Sequence, residues 1–434
     1  MPKFITRLCD AVLAAPNGDA HVRREVGRTI ADTVAVAAAG FVEPVTRFAI
    51  AAYAGNGPRA WSGIPIESRD AAVMTNAIAA HALDFDDVYL DSGSHSSAVI
   101  VPAVLSLDDP LAPDRVIDAC AAGLIAARAV GSLLGRKHYQ RGWHATSTVG
   151  VFSATAAAGL LAGFDATRMR YAFGLAAAMA GGLQQNFSTM AKPVHAGFAA
   201  SAGIRAVRLA VAGVDASDDI FATGAFPDLY HAEDGELSDD AFALRPDRVA
   251  VKLYPSCYAT SRLIGAALDL RAKLGPIFSR TDVTVRLTTP AGSLRVLKYD
   301  RPVDGLQAKF SPTFPVAAAL IDGSPVIGHF TAEGVGRTDL RDMIDRLTVV
   351  EDATRFYDGN LETGFVTIEA FAGGELIATV ERAAIPGTDA DPVTREQVAA
   401  KAAGCLAAYR TAFGADLPIL DRIRAMPDVA CWID

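Results

Sequence analysis

Cysteine is scarce in this sequence: Cys9, Cys120, Cys257, Cys405 and Cys431 are odd in number, widely spread and form no CxxC pair. That pattern argues against a disulfide framework or a structural zinc site and points to a reducing compartment. Aromatic residues are also few, at 8%, which speaks against an aromatic-rich β-sandwich. Charged residues reach only 21% against 51% for the AVILMFWYC set, so neither a long disordered chain nor a nucleic-acid-binding tail is expected. Positive charge is in deficit. The 40 Lys and Arg face 49 Asp and Glu, a net charge of −9, which argues against polyanion binding as the main task. A few local cations can still dominate one pocket for an anionic metabolite.

Long uninterrupted apolar runs are missing too. The least polar stretch, residues 145–164, is uncharged but broken by Thr146, Ser147, Thr148, Ser153 and Thr155, and reads as a buried Ala/Gly helix. The N-terminal MPKFITRLCDAVLAAP lacks a secretory apolar core and repeats Phe4, Leu8 and Val12 helically. The expectation is a soluble cytoplasmic protein with no membrane and no nucleic-acid partner. GxSxG, HExxH and GxxxxGK[ST] are absent, and Gly131-Ser-Leu-Leu-Gly135 lacks the preceding strand of a dinucleotide fold.

What is present is helix upon helix. At about 100–200 residues per domain, 434 residues allow two to four domains. Val22, Val26, Ile30 and Val34 repeat every four, and 71–85, 116–134, 147–163, 167–182 and 193–213 are further helical segments, with no strand alternation up to about residue 245. Abundant Ala and Gly suggest helices packed closely through small side chains. Near residue 250 the pattern changes. Val283, Val285 and Leu287 alternate with Thr284 and Arg286, and FVTIEAFAGGELIATVER reads as a hairpin turning at Gly373-Gly374, with helices at 260–273 and 312–322 between. Thr394 and Gln397 have capping-box spacing before an Ala-rich helix running to about Tyr409. The fold class expected is mainly α: a large all-helical domain formed from both chain ends, 1–248 and 393–434, plus a smaller α+β domain, 249–392.

Four polar clusters interrupt the apolar background. In HALDFDDVYLDSGSHSS (81–97), His81 and Asp84 stand at i,i+3 on one helix face, followed by Asp86, Asp87, Asp91 and His95. Such carboxylates suit a Mg²⁺ site if a second aspartate-rich helix faces them, or else form a solvated acidic helix end. In KHYQRGWHATST (137–148), His144 precedes Thr146 and Ser147, which read as N-caps; there the helix dipole favours a neutral imidazole, catalytic or structural. In QQNFSTMAKPVHAGFAA (184–200), Pro193 in the first helical turn places Lys192 at a helix start with His195 close behind. That is an anion site with a candidate base, or a surface lysine. In VKLYPSCYATSR (251–262), Lys252 and Arg262 add cations, while Cys257 reads as a small buried residue.

Together the clusters resemble the MmgE/PrpD family over nearly the whole chain. Its pattern stands here as AHALDFDD (80–87), His95-Ser-Ser, GWH (142–144), KPVHAG (192–197) and KLYPSC (252–257). The resemblance implies a helical domain built from both chain ends, a homodimer, and a site needing no metal or organic cofactor. It also implies active-site positions at Asp84, His95, His144 and Lys192. The family includes 2-methylcitrate dehydratases, cis-aconitate decarboxylases and iminodisuccinate epimerases. Phe314 stands where its decarboxylases carry Tyr, Ser261 where a His often follows, and Ser96 where the loop has Pro. The NFSTMAKPVH and HYxxGWHxTSTxGVF segments are most similar to iminodisuccinate epimerase.

The expected activity is a cofactor-independent epimerase abstracting the proton α to a carboxylate of an amino- or imino-polycarboxylate. The alternative is a dehydratase-like or decarboxylase-like lyase on a tricarboxylate. Lys192 is expected as base or charge stabiliser, Tyr139 or His144 as its acid/base partner, and His195, Lys252 and Arg262 as substrate-binding groups for a small di- or tricarboxylate.

Overall fold

The computed structural model describes residues 3–15, 19–106, 111–233 and 235–433. They divide into two units: Met1–Gln185, Ala191–Val251 and Thr394–Asp434 form one, and Asn186–Met190 with Lys252–Val393 form the other. The chain is mainly helical.

The larger unit is built on the helices Ala20–Gly40, Arg69–His81, Ser97–Leu105, Pro113–Gln140, Gly150–Leu161, Ala166–Ala177, Ala191–Val211 and Arg395–Phe413. Local chemistry sets several of their ends. Ser68 accepts from the Ala71 amide, Asp165 accepts from the Arg168 amide, and Thr394 and Gln397 exchange both bonds of a capping box. Small residues let these helices approach closely. A side chain at Gly197 would meet Ile78 and the Met74 carbonyl within 3 Å, so this glycine brings the Lys192-bearing helix against Arg69–His81. Pro113–Gln140 is long and apolar enough to cross a membrane, but 83% of its most apolar stretch is buried inside the protein, as in a core helix.

Three expectations for this unit are corrected. The helix expected over 71–85 stops at His81, and Asp84 takes a left-handed turn at φ 52. Thr146 and Ser147 are not caps: they lie inside the short helix Ala145–Thr148, whose N-cap is His144 without a side-chain cap bond. The unit is not purely helical either. Ala54–Arg59 pairs with Pro65–Ile66, and Val88–Tyr89 pairs antiparallel with Val249–Ala250. These strands are short and Gly/Pro-containing or fully buried, so they carry no alternation to read.

The smaller unit holds a four-stranded sheet in the order Leu347–Phe356, Val283–Ala291, Val366–Ala372, Glu375–Arg382, with the first pair parallel and the others antiparallel. Val283, Val285 and Leu287 point inward and Thr284 and Arg286 outward. Gly373 and Gly374, both at positive φ, make the two-residue turn. Helices Ser261–Leu274 and Phe314–Ile321 bury Leu263, Ile264, Val316 and Leu320 in the core beneath the sheet. Phe187 belongs to this unit by its ring contact with Phe310 at 5.7 Å.

Candidate active site

The segment after the Arg69–His81 helix does the positioning. At Asp84 the chain enters the left-handed region, which costs an L-residue roughly 1–2 kcal/mol and is tolerated best by Asp and Asn. The bridge Val88–Tyr89 to Val249–Ala250 fixes the chain beyond it. A tight turn follows, closed by the Tyr89 amide on the Ser94 carbonyl, and delivers His95, whose amide donates to Thr146 Oγ1 at 3.1 Å. His144 is tied down by its amide to the Gly182 carbonyl, and Ser147 Oγ donates to the His195 carbonyl. Gly182 itself, at φ 105, leaves no room for a side chain: a Cβ would sit 2.9 Å from Ser147 Cβ and 3.3 Å from His195 Nδ1.

These elements bring seven polar side chains together inside the larger unit. Lys192 Nζ lies 3.0 Å from Asp84 Oδ2 and 3.0 Å from His81 Nε2. An ammonium has no acceptor, so His81 Nε2 must accept, and the His81 proton sits on Nδ1, which donates to Asp86 at 2.8 Å. His95 spans the two carboxylates, Nδ1 at 3.2 Å from Asp86 and Nε2 at 3.6 Å from Asp84. His144 Nδ1 and His195 Nδ1 are 3.0 Å apart, so one donates and the other accepts, and the pair holds opposite tautomers. The His81 ring stacks on His144 at 5.7 Å, closing the chain. All seven are buried: Lys192 is 5% exposed, Asp84 3% and Asp86 0%.

Burial decides which groups carry charge. Desolvation lowers His81 to about 4, with the Lys192 charge adding to the effect and Asp86 opposing it. His144 is held well below the usual histidine range, first by burial and then by Lys192, and His195 is lowered by the same two causes. Burial pushes Asp86 up, but the His81 and His95 imidazoles outweigh it and hold the carboxyl below its usual range. At neutral pH the cluster therefore presents neutral His81, His144 and His195 around an ionised Asp86.

Asp84, His95, His144, Lys192 and His195 thus converge. His81 and Asp86 stand with them; the sequence reading placed both in the acidic cluster of the AHALDFDD motif but not among the catalytic or substrate-binding residues. The solvated-acid alternative for 81–97 is overturned by burial. Asp91 and Asp240 are engaged by arginines instead: Asp91 pairs with Arg128 at 2.6 Å and Arg248 at 2.9 Å, and Asp240 also engages Arg128. Tyr139 lies half-buried on the last turn of Pro113–Gln140, its carbonyl accepting from Gln184. Lys252 and Arg262 belong to the smaller unit. Lys252 is buried, and the Arg262 guanidinium donates to the backbone carbonyls of Ala383, Leu361 and Glu362. Cys257 is buried, as its sequence context suggests.

Among the described residues, His81, Asp86 and His95 form the one set whose ligand atoms converge closely enough, within 4.8 Å, to hold a metal ion. A divalent cation there would displace the imidazole hydrogen bonds to Asp86 and sit beside the Lys192 ammonium, an unfavourable exchange.

The sequence matches known proteins. The MmgE/PrpD N-terminal domain matches residues 6–229 and the MmgE/PrpD C-terminal domain matches residues 254–414. Cis-aconitate decarboxylase of Mus musculus is 28% identical over 294 residues, 64% of this chain and 59% of that protein. The Aspergillus terreus cis-aconitate decarboxylase is 24% identical over 394 residues, 84% of this chain and 78% of that protein. The Homo sapiens enzyme is 26% identical over 292 residues, 64% of this chain and 60% of its own length. The matches to the two mammalian relatives thus cover less than two thirds of their lengths. These relatives are lyases, which favours the lyase alternative over the epimerase reading. With both domains matched over most of its length, the chain belongs to the MmgE/PrpD family.

Proposed function

We propose that this protein is a lyase cleaving a bond next to a carboxylate of a small di- or tricarboxylate, with side chains alone supplying the chemistry and cis-aconitate the first substrate to test. The observation that carries this reading is the buried chain Asp84–Lys192–His81–Asp86, with neutral His144 and His195 beside it. The names of the relatives support the choice of substrate.

The physical problem is common to the reactions of such substrates. Breaking the bond to CO2, or removing an α-proton, leaves an electron pair on carbon that must spread onto a remaining carboxylate. A fixed ammonium in a water-poor site stabilises that developing charge by several kcal/mol. Lys192 is such a cation, aimed by Asp84 and His81. Decarboxylation then needs a proton delivered to carbon. Neutral imidazoles sharing one proton, as His144 and His195 do, can relay it in either direction. Tyr139 is retained as a second proton donor.

One observation favours epimerisation of an amino- or imino-polycarboxylate as a second reading. Phe314 has no hydroxyl and lies in the apolar core of the smaller unit against Phe330, so it offers no acid where the family's decarboxylases carry Tyr. Incubation in D₂O with cis-aconitate, 2-methylcitrate and an amino-dicarboxylate separates the two. CO2 release with one deuterium in the product is expected. Deuterium entering an α-carbon with inversion and no CO2 would replace the lyase with the epimerase. Dialysis against EDTA should leave turnover unchanged.

A further inference from the structure

The segment that carries Asp84 and Asp86 is held from its other side by a second lysine–aspartate pair. Lys401, on the helix Arg395–Phe413, sits 2.7 Å from Asp32 Oδ1 and donates to the Phe85 carbonyl at 2.7 Å, with Nζ 4.3 Å over the Phe85 ring. Both charged residues are buried, Lys401 8% and Asp32 3% exposed. Side chains of the segment divide between the two pairs. Asp84 and Asp86 reach Lys192, His81 and His95, whereas Phe85 meets Lys401 and Asp87 feels the charge of Asp32. Phe85 stands between the two carboxylates in the chain, so fixing its peptide constrains the aim of both. It also holds the left-handed turn at Asp84 in place.

We propose that Lys401, held by Asp32, is a positioning residue for Asp84 and Asp86. Its ammonium grips the backbone between the two carboxylates, through the Phe85 carbonyl, and so sets their distance from Lys192 and the imidazoles. The inference rests on the reading of that cluster as the reacting site.

The test compares wild type, Lys401→Met and the double variant Lys401→Met with Asp32→Asn in the full chain. The single variant leaves Asp32 buried without its cation and should lose stability, whereas the double variant removes both charges and should recover most of the Tm. In the double variant, ¹⁵N-histidine spectra should still show His81 and His95 displaced from their wild-type resonances. Its kcat should stay about 10- to 100-fold down with KM within about threefold, the scale of a misplaced catalytic group. A recovered Tm accompanied by wild-type imidazole spectra and wild-type kcat would overturn the proposal, because Lys401 would then act on stability alone. If wild type turns over none of the substrates above, the functional reading fails, and the imidazole spectra alone decide whether Lys401 positions the segment.

Discussion

Lys192 and Asp84 sit 3.0 Å apart, and Lys401 and Asp32 sit 2.7 Å apart, both pairs buried in the same helical unit. Their neighbours differ. Around the first pair stand His81, His95, His144 and His195, each able to take or give a proton. Around the second stand a backbone carbonyl, an aromatic ring and the Asp87 carboxyl. Burying a lysine with a carboxylate is therefore no sign of catalysis by itself, since desolvation of both ions offsets most of their attraction. What separates the pairs is the run of imidazoles that begins at His81, which accepts from Lys192, and continues through His144 to His195.

The largest expected effect breaks the first pair. Lys192→Ala should lower kcat by about 10²–10⁴, the range for loss of a preorganised charge or acid/base group. Lys192→Arg should fail nearly as badly. Arginine keeps the charge, but its planar fork cannot reproduce a point contact to both Asp84 and His81 Nε2, and it does not release a proton. Circular dichroism checks that each variant is folded. Retention of more than a tenth of wild-type kcat by Lys192→Ala would remove this lysine from the mechanism.

His144→Gln sharpens the role of the neutral ring. Glutamine can still bond to His195 but cannot pass a proton, so kcat should fall by about 10- to 100-fold with KM changed only slightly. Equal loss in kcat and rise in KM would instead mean that His144 only binds substrate.

How legible these regions were in the sequence depends on how local their causes are. The capping box of Thr394 and Gln397, the Gly373-Gly374 turn and the alternation of Val283 to Leu287 are set by neighbours in the chain, and all stand in the structure as the residues suggest. The edge strand Leu347–Phe356 was not visible, because most of its side chains are exposed and it pairs with a strand some 60 residues away in sequence. The same rule holds at the site. His144, Lys192 and His195 were legible from a capping context and a Pro-marked helix start. The early end of the Arg69–His81 helix was not, because the Phe85 carbonyl is satisfied by a lysine 316 residues away. Only with that turn does His81 meet Asp86 rather than Asp84.

The second pair can be probed through pH. Burial, then the Asp32 charge, lifts Asp87 to about 8, with Ser97 and Arg28 pulling the other way. Its folded-state value lies above the unfolded 3.8, so its contribution to stability is full below about pH 4 and is lost as pH rises through 8. Asp87→Asn, which cannot ionise, should match wild type in Tm near pH 4 and exceed it increasingly up to about pH 8. A difference independent of pH would show that Asp87 is already ionised in the folded protein. His81 has the opposite sign: its lowered value makes the fold lose stability as pH falls from about 6.5 to 4.

The smallest effect is expected at Phe314, in the other unit. Its ring is 1% exposed and lies 5.7 Å, edge to face, from Phe330, while its amide donates to Ser311 Oγ. Phe314→Tyr adds a hydroxyl to an apolar site. Without a partner, that group should destabilise the protein by about 1–3 kcal/mol, and with Ser311 or a water as partner by less. Because no acid/base role is assigned to this position, kcat on cis-aconitate should change by no more than about threefold, a small shift beside one catalytic proton transfer. The comparison of Tm and kcat discriminates. A lower Tm with unchanged kcat fits a core residue, whereas a tenfold gain in CO2 release would mean that a phenol here completes a decarboxylase. In that case the seven side chains around Lys192 would not be sufficient by themselves.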